Sequence, residues 1–310
     1  MARLLLEHSA DVNQSTRENE AASHAASNSG RVAVVRLLLS RGAKVNKVTD
    51  KGSTPLILAS QNGHVEIDGH VDVAKFLLSK GANVHATRNN DHMSPLHAAS
   101  QWGRVAIARL LLSRGAKVNK VTDEGCTPLV LASQNGHVEI VRLLLETTCA
   151  DVNRLTVCGT SSLFAASRTK NDRISPLCIA CRSGRLDVAK LLLSHGADVD
   201  STDDRGGSPL LNASGQGHLA IVRLLLSRGA NVDRAHISGH APITIATFGR
   251  HFDVVRLLVA HHRAPSPIDD VNNNPDNTPS ADAVVVDVVF REELRTATRK
   301  CPRCGRRRNL

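Results

Sequence analysis

The sequence predicts an all-α solenoid of stacked helix-turn-helix repeats with β-hairpin-like loops, followed by a disordered C-terminal tail. Two observations carry this reading. The stretch Thr127 to Asn153, TPLVLASQNGHVEIVRLLLETTCADVN, has relatives along most of the 310-residue chain. Aligned on the Thr127 slot, the copies start at Ala21, Thr54, Ser94, Thr127, Ser175, Ser208 and Ala241, with spacings of 33, 40, 33, 48, 33 and 33 residues. A unit of that length holds two short helices, which bury their apolar faces only by stacking on a neighbouring copy.

Each element of the unit has a local cause. Thr127 is a hydroxyl N-cap, and Pro128 takes the first helical position, where no N–H is needed. Leu129, Leu131 and Ala132 give the first helix an apolar face, and the small pair Ala132 and Ser133 admits a close neighbour. Gly136 ends that helix in the left-handed conformation. A second apolar run, Val138, Ile140, Val141, Leu143, Leu144 and Leu145, follows at once and makes a helical hairpin. Asp151, Val152 and Asn153 then open a polar loop, where other copies read Gly-Ala-x-Val-Asn/Asp.

On these residues the chain resembles the ankyrin repeat family. The resemblance is carried by TPLILASQNGH (Thr54 to His64), SPLHAASQWG (Ser94 to Gly103), TPLVLASQNGH (Thr127 to His137) and the endings LLLSRGAKVN and LLLSHGADVD, and it covers residue 2 to about residue 262. It implies a right-handed stack whose hairpin tips and first helices line a concave face. It also implies that His24 and His97, in the family's TPLH position, hydrogen-bond the cap and the adjacent hairpin. Where Ile57, Val130, Cys178, Leu211 and Thr244 stand in that slot the bond is expected to be absent, at about 1 kcal/mol each if nothing compensates.

In chain order, residues 1–16 read as a partial N-terminal repeat, 17–263 as the array, and 264–310 as a linker and a basic, cysteine-containing tail. Two insertions interrupt the array. Near 64–74 the start of a second helix is written twice, as GHVEID and then GHVDVA, and a further extra residue lengthens the fingertip RNNDHM before Ser94. Near 158–173 a repeat start is abandoned, leaving fifteen extra residues that are expected to uncouple the stack into two folding blocks. Arg36 to Ile67 returns as Arg109 to Ile140 with three changes, so the array reads as grown by duplication of a two-repeat block. The Pro/Asn/Asp linker after His262 has little that can fold.

Composition bounds the function. The chain is 41% hydrophobic with 2% aromatics and no Tyr, enough for stacked Leu/Val/Ile/Ala layers. It has no run long enough to span a membrane and no signal peptide. Seven cysteines without a secretory signal point to a reducing, intracellular compartment, cytoplasmic or nuclear. No nucleophile motif, phosphate loop or paired buried carboxylates are found, so the chain is read as a non-enzyme with no cofactor. Cys178 and Cys181 read as small buried thiols in a first helix. Cys301-Pro-Arg-Cys304-Gly has the shape of half a zinc knuckle, making Cys301 and Cys304 candidate ligands for a zinc ion.

The net charge of +10 includes a ladder, Arg36, Lys75, Arg109, Arg142, Lys190, Arg223 and Arg256, and a second row, Arg41, Lys80, Arg114 and Arg228, at helix ends that suit cations. A solvated outer face explains it; a partner with an acidic surface is the functional alternative. The function expected is a non-catalytic, monomeric protein-protein interaction scaffold gripping a protein partner on the concave face. The alternatives are a binder of nucleic acid or an acidic surface, disfavoured for nucleic acid by the scarcity of aromatics, and an adaptor whose zinc-knuckle tail recruits a partner. The family's variable contact slots place the protein-binding residues at Asp50, Lys51, Ser53, Gln61 and Asn62; Asp91, Met93, Gln101 and Trp102; Asp123, Glu124, Cys126, Gln134 and Asn135; Arg182; Asp204 and Arg205.

Overall fold

The computed structural model describes residues 7–8, 10–62, 69–147, 150–157 and 173–263. Among them the helices come in pairs: α1 (Ala22–Asn28) and α2 (Val32–Ser40); α3 (Pro55–Asn62) and α4 (His70–Ser79); α5 (Pro95–Gln101) and α6 (Val105–Ser113); α7 (Pro128–Asn135) and α8 (Val138–Thr147). Strands β1 (Thr156–Val157) and β2 (Arg173–Ile174) come next. Three more pairs follow: α9 (Pro176–Arg182) and α10 (Leu186–Ser194); α11 (Pro209–Gly215) and α12 (Leu219–Ser227); α13 (Pro242–Phe248) and α14 (Phe252–Arg263). The chain divides into two compact units, residues 1–204 and 205–310.

The first helices begin where a hydroxyl can cap them. Thr54, Ser94, Thr127, Ser175 and Ser208 each accept the backbone N–H three residues on, at 3.1–3.5 Å. In the first unit α1, α3, α5, α7 and α9 pack side by side in one layer, and α2, α4, α6, α8 and α10 in a second. Fully buried alanines, Ala59, Ala99, Ala132 and Ala180, let the first helices approach, while Leu77, Leu111, Leu144 and Leu192 fill the space beneath the second. In the second unit α11 packs on α12 and α13, and α14 closes on both α12 and α13.

Two sets of hydrogen bonds join successive repeats. At the start of a second helix, a donor reaches back to the end of the preceding first helix: His70 Nε2 to Asn28 O, Arg104 Nε to Gln61 O, His137 Nε2 to Gln101 O, Arg185 Nε to Gln134 O and His251 Nε2 to Gly215 O, at 2.9–3.2 Å. In the loops, Asn13 donates to Gly42 O and accepts from Lys44 N–H, and Asn46 does the same to Gly81 and Asn83.

The second copy of the twice-written helix start opens α4. His70, in the second copy, makes the backward bond, and residues 63–68, which include the first copy, lie outside those described. The packing also runs on past the second insertion instead of breaking there. β1 pairs antiparallel with β2, Thr156 opposite Ile174, so the chain leaves and re-enters at adjacent points. Beyond it α7 meets α9, α8 meets α10, and Asn153 bonds Gly196 O and Asp198 N–H at 3.2 and 2.9 Å. Residues 158–172 themselves, and the tail 264–310, lie outside the described residues.

This continuity has a measurable consequence. Asn153→Ala and Asn46→Ala each remove one side-chain clamp between repeats, and each should lower the unfolding free energy by about 1 kcal/mol. Urea denaturation that shows a loss for Asn46→Ala and none for Asn153→Ala would mean that the stack is interrupted after residue 157.

Candidate protein-binding surface

The fingertips are built as linked hairpins. Each closes on itself, through Thr49 N–H to Ser53 O, Thr122 N–H to Cys126 O and His236 N–H to His240 O, and then joins its neighbour, through Asp50 N–H to Glu18 O, Asn89 N–H to Lys51 O, Asp123 N–H to Asp91 O and Ile237 N–H to Arg205 O. The lengthened fingertip keeps this plan by closing one residue wider, Arg88 N–H to Met93 O, with His92 at φ 53° in the left-handed position that Gly52 and Gly125 hold elsewhere.

This pairing decides which predicted contact residues face out. Ser53, Met93 and Cys126 are buried, so their placement as contact residues is corrected. They occupy the position before the N-cap, whose carbonyl closes the hairpin while the side chain turns into the core. There Met93 and Cys126 pack with Val130, Leu131, Ile174, Cys178 and Ile179.

The acids of the fingertips face solvent but are committed to the lattice. Asp50 accepts from Asn19 Nδ2 at 2.9 Å, Asp123 pairs with His92, and Asp204 with Arg173 at 3.2 Å. Asp91 pairs with Arg88 and accepts Met93 N–H at 3.0 Å. Lys51 and Glu124 are exposed, and Arg205 is half-buried.

At the ends of the first helices the amides form a row. Gln61, Asn62, Gln101 and Gln134 are half-buried, Asn135 is exposed, and Arg182 is half-buried at the end of α9. Asn62 Nδ2 bonds Asn28 Oδ1 at 2.6 Å and Leu58 O at 3.1 Å, and Asn135 Nδ2 bonds Leu131 O at 2.9 Å. In the middle of the row stands Trp102, the C-cap of α5, with 48% of its surface exposed.

The histidine slot is structural. Ser94 N–H donates to His97 Nδ1 at 3.2 Å, so the ring proton sits on Nε2, which donates to Lys120 O at 3.0 Å and Cys126 O at 3.2 Å. His24 repeats this between Ala21 N–H and Lys47 O. At Cys178 the imidazole bond is absent and a thiol compensates for it. Its Sγ–H donates to Ser201 O at 3.4 Å, twenty-three positions on, the offset of the imidazole bonds, and the Ser175 and Ser201 hydroxyls pair at 2.9 Å beside it. Burial pushes the Cys178 thiol up to about 11 and the Cys181 thiol well above its usual value, so both stay protonated.

Among the described residues no group of three His, Cys, Asp or Glu side chains could hold a metal ion, and no helix is long and apolar enough to cross a membrane. Cys301 and Cys304 lie outside the described residues.

Comparison with known proteins agrees with this geometry. The family model described as "Ankyrin repeats (3 copies)" matches residues 1–86, 46–122, 115–203 and 177–275. The chain belongs to the ankyrin repeat family. Human ankyrin repeat and SOCS box protein 16 is 34% identical over 177 residues, 57% of this chain, which spans only 36% of that relative's length. The crystal structure of the human ASB11 ankyrin repeat domain superposes with a TM-score of 0.66 at 27% identity, covering 80% of this chain and all of that one. Ankyrin repeats are generally protein-protein interaction modules, and the fold is typically non-catalytic.

Two exposed apolar residues escaped the sequence reading. Ile237 is 75% exposed and Phe248 70% exposed, with His240 edge-on to the Phe248 ring at 5.6 Å. The signal was present: Ile237 occupies the fingertip slot of Asp50 and Asp123, and Phe248 the helix-end slot of Gln61, Gln101 and Gln134.

The buried imidazole sets a pH dependence. Desolvation lowers His97 from 6.5 to about 4, and His24 shifts in the same direction. The folded value lies below the unfolded one, so the unfolded chain binds the extra proton. The stability is whole above pH 6.5 and falls as pH drops toward 4. For His97 the loss between pH 6.5 and 5 is about 1.5 kcal/mol. His97→Val, which places there the residue type found in the same slot at Val130, should remove that part of the slope in urea titrations; an unchanged slope would assign it to another group.

Proposed function

We propose that the array is a non-catalytic, intracellular recognition scaffold that grips a protein partner on the row of first-helix ends and the fingertips beside it. The contact residues are Gln61, Asn62, Gln101, Trp102, Gln134 and Asn135, flanked by Lys51 and Glu124. Trp102 carries this reading. Its backbone N–H is used, bonding Ala98 O at 3.1 Å, but its indole stands half exposed where the aligned copies have Asn62, Asn135 and Ser183. A large aromatic that the stack does not require, held on rigid helices, is the kind of residue that dominates interface energetics. A preformed surface also loses little ordering entropy on binding.

The non-catalytic reading is supported by where the perturbed groups sit. His24, His97, Cys178 and Cys181 are all buried and absorbed in packing. The relative named for ankyrin repeats and a SOCS box supports a recognition role within a larger protein, although the stretch shared with it does not carry over that protein's partners.

Trp102→Ala tests the assignment. The free wild-type protein should show the emission of an exposed indole, and the variant should bind a partner captured by the array about tenfold more weakly with its thermal midpoint unchanged. Unchanged affinity, or lost stability with normal binding, overturns it. Tight binding of random oligonucleotides that falls steeply with salt would favour the nucleic-acid reading instead.

A further inference from the structure

The cations on the second helices divide into two sets. Lys190 pairs with Asp187 at 3.2 Å, Arg142 with Glu139 at 3.8 Å and Glu146 at 3.4 Å, and Arg256 with Asp253. In the position three residues before the ladder cation, an acid stands at Asp72, Glu139, Asp187 and Asp253, but alanine at Ala33, Ala106 and Ala220. Consequently Arg36 and Arg109 are exposed and make no ion pair among the described residues, and the same holds for Arg41 and Arg114 at the C-caps of α2 and α6. Between those helices α4 adds Lys75, which pairs with its single acid Asp72 at 3.4 Å, and Lys80, for which no ion pair is found among the described residues. Lys44 and Lys117, both exposed, extend the face toward the loops.

Three neighbouring helices thus present two parallel rows of cations, Arg36, Lys75 and Arg109 beside Arg41, Lys80 and Arg114. Packed helices lie about 10 Å apart. An extended chain advances about 3.3 Å per residue, so about three residues carry it from one repeat to the next. We propose that the outer face of α2, α4 and α6 is a second docking surface, for an extended acidic segment of a partner protein with a carboxylate at every third residue.

Two features favour carboxylates over a nucleic acid. Asp72 interrupts the ladder row, where a backbone charged at every nucleotide would meet it, whereas spaced acids pass it by. Phe76, the one aromatic of the face, has Arg36 over its ring at 4.6 Å and Lys80 at 5.6 Å from the centroid, which occupies the surface a base would stack on. This surface is independent of the Trp102 row and does not rest on it.

The probe is a fluorescent peptide of Glu-Ser-Gly repeated six times, with an oligothymidylate of equal charge for comparison, titrated into the full chain by anisotropy. The peptide should bind, weaken about tenfold from low to high salt, and weaken by a similar factor in the triple variant Arg36→Gln, Arg109→Gln, Arg114→Gln. Neutralising acid-paired cations, Arg142→Gln with Lys190→Gln, should leave binding within about twofold, because paired charges attract a ligand weakly. Equal losses in the two variants overturn the proposal, as does oligothymidylate binding as tightly as the peptide, provided both variants keep the wild-type circular dichroism melt.

Discussion

The array depends on one contact: a side-chain N–H at the start of a second helix bonding a carbonyl at the end of the preceding repeat's first helix. A helix C-terminus leaves carbonyls without intrahelical partners, and this donor satisfies one of them from the neighbouring repeat. Imidazole does it in His70, His137 and His251, and guanidinium in Arg104 and Arg185. The chemistry shared by the two is a planar N–H on an arm long enough to cross the repeat boundary. The bond also dictates the glycine beneath it. A Cβ at Gly103 would lie 2.7 Å from His137 Nδ1, and Gly103 already needs φ 72°. Arg250 shows the converse, since it takes φ 58° in the same slot of the last repeat among the described residues, where no donor of a following repeat is described. A side chain is strained there but not excluded.

The same contact explains why the irregularities of the sequence do not propagate. A stack of short units is held by nearest-neighbour terms, so what matters at an insertion is whether the next unit still reaches the last. Arg185 reaches Gln134 across fifty-one positions, and His70 reaches Asn28 across forty-two, at distances no longer than in the regular repeats. At the loop ends Asn13, Asn46 and Asn153 do the corresponding work, each with its carbonyl oxygen and its amide engaged by two backbone groups of the next repeat. A unit tied at both ends has little freedom to tilt.

Repeat starts, helix hairpins, histidine slots and basic helix ends were legible because each rests on local chemistry: a hydroxyl, a proline, a glycine, a period. The facing of the fingertip residues was not. Ser53, Met93 and Cys126 turn inward because their carbonyls close a hairpin whose plane is fixed by neighbouring hairpins, and single-repeat patterning holds no trace of that. Nor does a doubled GHV show that His70 will reach Asn28. Ile237 and Phe248 differ, because aligning the slots of the last repeat would have exposed them. Cys178 falls between these cases: the sequence shows that the imidazole is gone, but not that Ser201 lies within reach of a thiol.

These assignments separate what the stack uses from what it leaves open. Inter-repeat bonds draw mainly on backbone groups and on a few side chains at fixed slots, so the remaining side chains on helix ends and outer faces carry little of the fold and are free to differ between repeats. Trp102 and Phe248 are large apolar groups at such positions, each at the end of a first helix and each in a different compact unit. Burying either would remove far more apolar surface from water than burying the amides of the equivalent slots. A surface aromatic on a rigid frame, next to amides already oriented by hydrogen bonds to Leu58 and Leu131, is the anchor that the proposed recognition surface would use.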